Sequence, residues 1–195
     1  AISVEFGTVP PIVPLPNLLY CDQGNDTAIF DLTDNEPLIS TNPNEVSFFI
    51  NLDDAMENVN SISDPTLYQN TSDPQTIYVR FENEVCFTTS SFLITTENCK
   101  PEISQGTSPN NDGWNDVFKI KGLIDVYKDF ELRIYTRQGN LIYEGGNEEG
   151  LWSSIPNTGL LYKDSLVPVG TYFYVLFLND TKFPKPFTGF VYVNY

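Results

Sequence analysis

The sequence predicts an all-β protein built from two β-sandwich domains in tandem, and three observations support this prediction. Short runs rich in Val, Ile, Thr, Tyr and Phe recur along the 195-residue chain, and Pro, Gly, Asn and Asp separate them. No long stretch shows the 3.6-residue apolar period of an amphipathic helix. The balance of charge also changes abruptly at Cys99-Lys100-Pro101, which predicts a domain boundary there.

The charge is concentrated in the first half of the chain. Residues 1–99 carry 15 acidic side chains and one basic side chain, Arg80, whereas residues 100–195 carry 11 acidic and 9 basic ones. We therefore divide the chain into a Pro-rich extended lead-in over 1–17, an acidic module over 18–99 and a second domain over 100–195. A net charge of −16 repels phosphate, which argues against nucleic-acid binding.

The acidic module is predicted to be an immunoglobulin-like sandwich, because several short strands alternate with turn residues. A short helix is expected over Asn51–Glu57, with Asn51 as its N-cap. The adjacent Asp53 and Asp54 diverge on such a helix, so we interpret them as a solvated surface rather than a catalytic pair. The strand candidates are Ala28–Leu32, Val46–Ile50, Thr76–Phe81 and Ser91–Thr95.

The second domain contains a predicted hairpin, Phe130–Thr136 and Leu141–Tyr143, preceded by a strand-like run at Val117–Ile120. Leu132 and Ile134 point to one side of the first hairpin strand, which indicates a sheet buried on one face. Trp152 is expected in the core or at its rim.

The last two strands are apolar on both faces, although a two-layer sandwich buries only one face of each strand. The outer face is then covered either by a partner or by the connecting segment Lys182–Phe187. The final strand, which runs to Tyr195, could also accept a partner strand or simply end the sheet. The candidate partner contacts are Tyr172, Phe173, Tyr174, Val175, Phe177, Phe190, Tyr192 and Tyr195.

A loop of oxygen-bearing side chains precedes these strands. Asn110, Asp112 and Asp116 lie at nearly alternating positions around Gly113, as at the start of a calcium-binding loop. No bidentate Glu follows at the expected distance, so the alternative is a turn in which these side chains bind the loop's own backbone. We predict no required cofactor. The one candidate ligand of this loop is Ca²⁺.

The cysteines and the absence of histidine limit the chemistry. Cys21, Cys86 and Cys99 are too far apart in sequence for a zinc knuckle, and they allow one disulfide. We predict a Cys21–Cys86 bond, with three free thiols as the alternative. Without histidine, Ser-His-Asp triads and histidine bases are excluded, and we expect no enzymatic activity.

No transmembrane segment is predicted, because the longest apolar run, Tyr172–Leu178, is too short to span a bilayer as a helix. The chain starts without Met and without a signal peptide, so we interpret it as the C-terminal part of a longer exported protein.

The second half resembles a known family. From Pro101 to Tyr195 the chain is similar to the type B C-terminal sorting domain of gliding-motility-associated proteins in Bacteroidetes, which are substrates of the type IX secretion system. Asn111 and Ser153-Ser154 depart from the family pattern. The motifs that carry the resemblance are Ser108–Asp116, Leu132–Tyr143, Leu151-Trp152, Pro168–Tyr174 and Gly189–Val193.

This resemblance implies recognition by the type IX translocon, a SprF-type outer-membrane barrel as partner, and delivery through the periplasm to the cell surface. The first half is more weakly similar to modules that recur in large Bacteroidetes surface proteins, which implies a SprB-like adhesin. The alternative function is calcium-dependent adhesion or glycan binding, in which Trp114 stacks on a sugar beside Asn110, Asp112 and Asp116. The competing interpretation of Trp114 is a tryptophan packed within its own loop.

Overall fold

The computed structural model describes residues 14–40, 42–84, 86–163 and 165–195, so most of the predicted lead-in lies outside the described residues. Two compact units form: one contains the described residues up to Asp22 together with Asp26–Glu97, and the other contains Gln23–Asn25 and Asn98–Tyr195. The strands are β1 Leu18–Cys21, β2 Ile29–Phe30, β3 Val46–Phe49, β4 Tyr68–Gln69, β5 Gln75–Glu82, β6 Phe87–Glu97, β7 Glu102–Ile103, β8 Gly106–Thr107, β9 Ile120–Lys121, β10 Glu131–Tyr135, β11 Leu141–Gly145, β12 Gly170–Phe177 and β13 Phe187–Val193. The helices are α1 Glu36–Ile39 and α2 Leu52–Glu57, with 3₁₀ helices at Leu32–Asn35, Pro43–Glu45 and Pro65–Leu67.

The first unit is built on a four-stranded sheet in the order β1-β6-β5-β3. β1 runs parallel to β6, and the other neighbours are antiparallel. The small β2-β4 sheet contributes Phe30, which is buried in one cluster with Phe48 of β3 and Ile77 of β5. The unit therefore has two layers around an apolar core.

Helix α2 covers part of the outer face of this sheet. The Asn51 side chain accepts a hydrogen bond from the Asp54 N–H at 2.8 Å, as the predicted N-cap. At the other end of α2, Arg80 of β5 donates to the carbonyl oxygens of Ala55 and Met56, both at 3.0 Å. Arg80 thus supplies donors to helical carbonyls that have no partner within the helix.

The predicted Cys21–Cys86 disulfide is wrong: the structure bonds Cys21 to Cys99 and leaves Cys86 as a free thiol. The parallel pairing of β1 with β6 explains this result. It sets Cys21 opposite Glu97, two residues before Cys99, whereas Cys86 precedes the far end of the same strand.

The second unit has a five-stranded sheet in the order β11-β10-β12-β13-β8, and a two-stranded sheet of β7 and β9. Ile120 of β9 belongs to the same buried cluster as Leu132 and Ile134 of β10, so this unit also has two layers. Trp152 lies fully buried in that cluster, which confirms its predicted place in the core. Its indole N–H donates to the Ile155 carbonyl oxygen at 3.1 Å.

The all-β prediction is confirmed, and each unit sets a main sheet against a two-stranded sheet, as in a reduced immunoglobulin-like sandwich. The strand predicted at Ala28–Leu32 is shorter than expected. Its chain turns at Asp31, whose carboxylate accepts from the Thr33 N–H at 3.0 Å and caps a 3₁₀ helix. The predicted run Val117–Ile120 likewise enters a strand only at Ile120.

Candidate docking site

The two faces of β12 and β13 have different roles. On β12, Tyr172, Leu176 and, beyond the strand, Leu178 are buried, whereas Phe173 points to the outer face. On β13, Val191 and Val193 are fully buried. The apolar pattern on both faces of these strands therefore combines a core face with a second, outer face.

The sequence predicts Tyr172 as a partner contact, and the structure corrects this prediction. The Tyr172 side chain is only 6% exposed. Its hydroxyl donates to the Pro168 carbonyl oxygen at 2.8 Å, and its ring meets Trp152 edge-on at 5.6 Å between centroids. A tyrosine at the start of a strand that bonds a carbonyl four residues upstream matches the tyrosine corner of immunoglobulin-like folds. Burial raises the pKa of Tyr172 to about 12.

Tyr174 also faces inward, so it is a poor candidate for direct partner contact. Its ring lies 5.3 Å from that of Phe118, and burial raises the pKa of its hydroxyl. The ring covers Gly189 on β13, where an added Cβ would come within 2.6 Å of the Tyr174 hydroxyl oxygen. Gly189 is thus required by the close approach of the tyrosine.

The outer face carries what we call the aromatic row: Tyr135, Phe173, Phe190 and Tyr192. Strand register places Phe173 opposite both Tyr135 on β10 and Phe190 on β13. Phe173, Phe190 and Tyr192 remain 44%, 45% and 46% exposed, and Tyr135 is half-buried. Val175 and Phe177, which share this face of β12, are also half-buried.

The connecting segment Lys182–Phe187 does not cover the aromatic row. Phe183 lies 6.3 Å from the Tyr127 ring and 6.1 Å from the Phe187 ring, and both phenylalanines pack against the core cluster. Because the connection closes the inner side, the exposed rings of Phe173 and Phe190 stay open to a partner.

Beside the aromatic row, the outer face becomes charged. Arg133 of β10 forms ion pairs with Glu131 and, at 3.0 Å, with Glu144 of β11. Its guanidinium also lies 5.5 Å from the Phe177 ring centroid. The outer face is therefore apolar on β12, on β13 and at Tyr135, and ionic around Arg133 and Glu144.

Tyr195 is half exposed, and its hydroxyl donates to the Val167 carbonyl oxygen. The residue is thus attached to the segment before β12, while part of its ring remains accessible.

The loop before β9 is held by hydrogen bonds to its own backbone. The Asp116 carboxylate accepts from the Asn111 N–H at 2.7 Å and from the Gly113 N–H at 2.9 Å. Asp112 accepts from the Trp114 N–H at 2.7 Å and from the Asn110 amide at 3.0 Å. These contacts correspond to the turn alternative, since each carboxylate already has N–H donors.

The calcium prediction at Asn110, Asp112 and Asp116 stays a prediction. Asp112 and Asn110 contact each other directly, and Asp116 lies within the same loop. In the described part of the chain, no three or more His, Cys, Asp or Glu side chains are grouped so as to hold a metal ion.

Trp114 stands at this loop with 77% of its surface exposed. The interpretation of Trp114 as packed within its own loop is therefore wrong. An exposed indole held on a structured turn can contact a ligand with its whole face.

Family models match nearly all of the described chain. Residues 101–193 match the "CHU_C Type IX secretion signal domain". Residues 101–193 belong to the type IX secretion signal family. Residues 17–101 match the "Flavobacterium inter-domain disulphide bond domain", a range that contains both Cys21 and Cys99.

The other comparisons add little. No curated protein matches the chain. Among solved structures, the chain is similar to "Sidekick-1 immunoglobulin domains 1-5" at 10% identity and a TM-score of 0.33. The match covers 93% of this chain and 38% of that one, and at this score it carries no argument.

The secretion signal domain implies interaction with the type IX machinery and export to the cell surface or the extracellular space. No helix in the described residues is long and apolar enough to cross a membrane. Sequence reasoning found most of the aromatic row but missed Tyr135, because its alternation was assigned to ordinary one-face burial. The position of Tyr135 opposite Phe173 becomes evident only from the strand register.

Proposed function

We propose that the secretion signal domain is captured as a folded unit, and that the type IX translocon contacts it through the aromatic row. The observation that carries this proposal is the exposure of Phe173, Phe190 and Tyr192 on a sheet whose other face is fully packed. Rigid aromatic side chains bury a large area at a small cost in conformational entropy, and they often form the energetic centre of an interface.

The outer-membrane partner in this proposal is a SprF-type barrel. The aromatic row supplies an apolar contact, and the neighbouring Arg133 with Glu131 and Glu144 supplies polar groups at its margin. An apolar centre with a charged rim is the usual composition of a specific interface. The chemistry is binding, and we assign no catalytic residue.

The first unit would be the last module of a long surface protein, such as a gliding adhesin. Helix α2 covers part of its outer face. Its strong negative charge keeps it in solution and away from anionic surfaces. Attachment of the exported protein to the cell surface is part of this proposal.

The export test uses the whole chain, residues 1–195, placed after a signal peptide and a fluorescent passenger. Expression in a type IX-competent bacterium should bring fluorescence to the surface or the medium, and a translocon deletion strain should retain it in the periplasm. Retention in both strains would contradict the export function. Equal export from both strains would show that another pathway carries the passenger.

The contact surface is tested with the double variant Phe173→Asn, Phe190→Asn. Export should fall by about tenfold or more, because the loss of buried aromatic anchors typically costs an interface at least about 2 kcal/mol. The matched control is Leu19→Asn with Leu93→Asn, two exposed apolar residues of the first unit. Normal export of the aromatic double variant would remove the aromatic row from the proposal and leave the family assignment intact.

A second candidate function rests on Trp114, whose exposure beside Asn110 and Asp112 favours calcium-dependent glycan binding. Binding of the full chain to a glycan array should then require Ca²⁺ and should be lost in Trp114→Ala. Equal binding with a chelator would exclude the calcium-dependent form of this function.

A further inference from the structure

The five-stranded sheet of the secretion signal domain has two edges, and they are finished differently. At the β11 edge, the Asn157 side chain accepts from the Glu144 N–H at 3.0 Å and donates to the Glu144 carbonyl oxygen at 2.7 Å. The Ile142 carbonyl oxygen accepts from the N–H groups of Asn157 and Thr158. This edge is therefore capped, as is usual for sheet edges that must not recruit another strand.

At the opposite edge, β8 covers only the end of β13. The Tyr192 N–H donates to the Gln105 carbonyl oxygen at 2.8 Å, and the Asn194 N–H donates to the Thr107 carbonyl oxygen at 3.1 Å. Because main-chain groups alternate between the two sides of a strand, Phe190 and Thr188 direct theirs to the same side as Tyr192. Among the described residues, no hydrogen bond engages the main chain of Thr188 or Phe190.

The open edge and the aromatic row meet at Phe190. Its main chain lies on the uncapped edge, while its ring is exposed on the outer face opposite Phe173. A strand that paired with Thr188 and Phe190 would add one strand to the sheet beside this part of β13. Its outward side chains would then lie beside the Phe190 ring, at the spacing of cross-strand neighbours.

We propose that the translocon partner adds an extended β-strand to β13 at Thr188–Phe190, with an apolar side chain packed against Phe190. This inference rests on the proposed function and specifies how the contact is made. Main-chain hydrogen bonds at the edge supply affinity, and the aromatic row selects apolar side chains at alternate positions, as in other recognition by strand addition.

The direct test is amide hydrogen exchange on the ¹⁵N-labelled full chain, alone and with purified type IX translocon in detergent. The amides of Thr188 and Phe190 should exchange rapidly in the free chain and at least about tenfold more slowly in the complex. The Val191 amide, which points towards β12, should be protected in both states. Binding that leaves Thr188 and Phe190 unprotected would overturn strand addition while leaving the proposed function in place.

A pair of variants at one position tests the main-chain contact separately. Thr188→Pro removes an N–H that the fold does not use, and proline is tolerated at such edge positions. Thr188→Ala keeps the N–H and removes only the side-chain hydroxyl and methyl groups. We expect Thr188→Pro to weaken translocon binding by about tenfold or more. Thr188→Ala should bind within about twofold of the parent chain.

Equal binding by Thr188→Pro and the parent chain would overturn the inference. If Thr188→Pro does not fold, the hydrogen-exchange comparison on the parent chain decides by itself. Failure of the parent chain to bind the translocon would contradict the proposed function, and this inference with it.

Discussion

The two units share one sheet plan but differ in what covers it. In each, the first strand of the main sheet lies parallel to the last strand, which pairs with the strand before it: β1-β6-β5 in the first unit and β8-β13-β12 in the second. In the first unit, α2 lies over part of the outer face and Arg80 binds its carbonyl groups, while Leu19 and Leu93 stay exposed. In the second, the same face carries exposed aromatic rings.

Under the proposed function, the second unit is the one that docks, and the two units also differ in the length of the strand at one edge of the main sheet. The first unit pairs all four residues of β1 with β6. The second unit covers β13 with only the two residues of β8. Under the proposed function, the exposed aromatic rings of the second unit are what distinguish its sheet from that of the first.

The largest stability effect that would sharpen this comparison is expected from Cys99→Ser. Loss of the Cys21–Cys99 bond should lower the free energy of unfolding by about 2–5 kcal/mol, because the cross-link restricts the unfolded chain. Chemical denaturation with intact and reduced protein measures this change. Cys86→Ser, at the free thiol, is the matched control. An unchanged free energy of unfolding in Cys99→Ser would show that the bond does not stabilise the folded chain.

A smaller effect is expected from the two arginines on the outer faces. Arg80→Ala leaves the Ala55 and Met56 carbonyl groups without their donor, and it should cost about 2–4 kcal/mol. Arg133→Ala removes surface ion pairs and should cost less than about 1 kcal/mol. The two variants are compared by urea denaturation. Equal costs would contradict the view that Arg80 supports a helix whereas Arg133 forms only surface ion pairs.

The smallest effect is expected from Tyr172→Phe, which removes the corner hydrogen bond and should cost about 1 kcal/mol at neutral pH. Burial raises the pKa of Tyr172 to about 12, so the folded chain keeps this proton while an unfolded tyrosine loses it near its ordinary pKa of about 10. Stability should fall as pH rises through this interval, and the variant should show a shallower fall.

Denaturation curves between about pH 9 and about pH 12 measure that slope. Tyr192→Phe, on the exposed outer face, serves as the control and should change stability by less than about 0.5 kcal/mol. An unchanged alkaline slope in Tyr172→Phe would show that the corner tyrosine does not contribute to it.

Local pattern was sufficient for much of the fold. Short apolar runs between turn residues predicted β3, β5 and β10 within about a residue or two at each end, and the Asn51 cap predicted the start of α2. These features depend on neighbouring residues, so the sequence contains the necessary information. The resemblance carried by Ser108–Asp116 and the motifs that follow it also pointed to the family that residues 101–193 match.

Long-range pairing caused the errors. The disulfide prediction failed because nothing local reveals that β1 runs parallel to β6 and brings Cys21 towards Cys99. Tyr172 was assigned to the surface because an apolar strand does not reveal which face is the core. Its bond to Pro168 identifies the inner face only in three dimensions.

The parallel pairing of first and last strands also sets an order of folding. β8 cannot pair until β13 has formed, about eighty residues further along the chain, and such non-local closure is slow compared with the formation of a helix or a hairpin. The aromatic row spans β10, β12 and β13, so it is assembled only when the last strand has joined the sheet. A partner that binds the aromatic row therefore recognises only chains in which β13 has joined the sheet. Chains that have not reached this stage of folding lack the complete row.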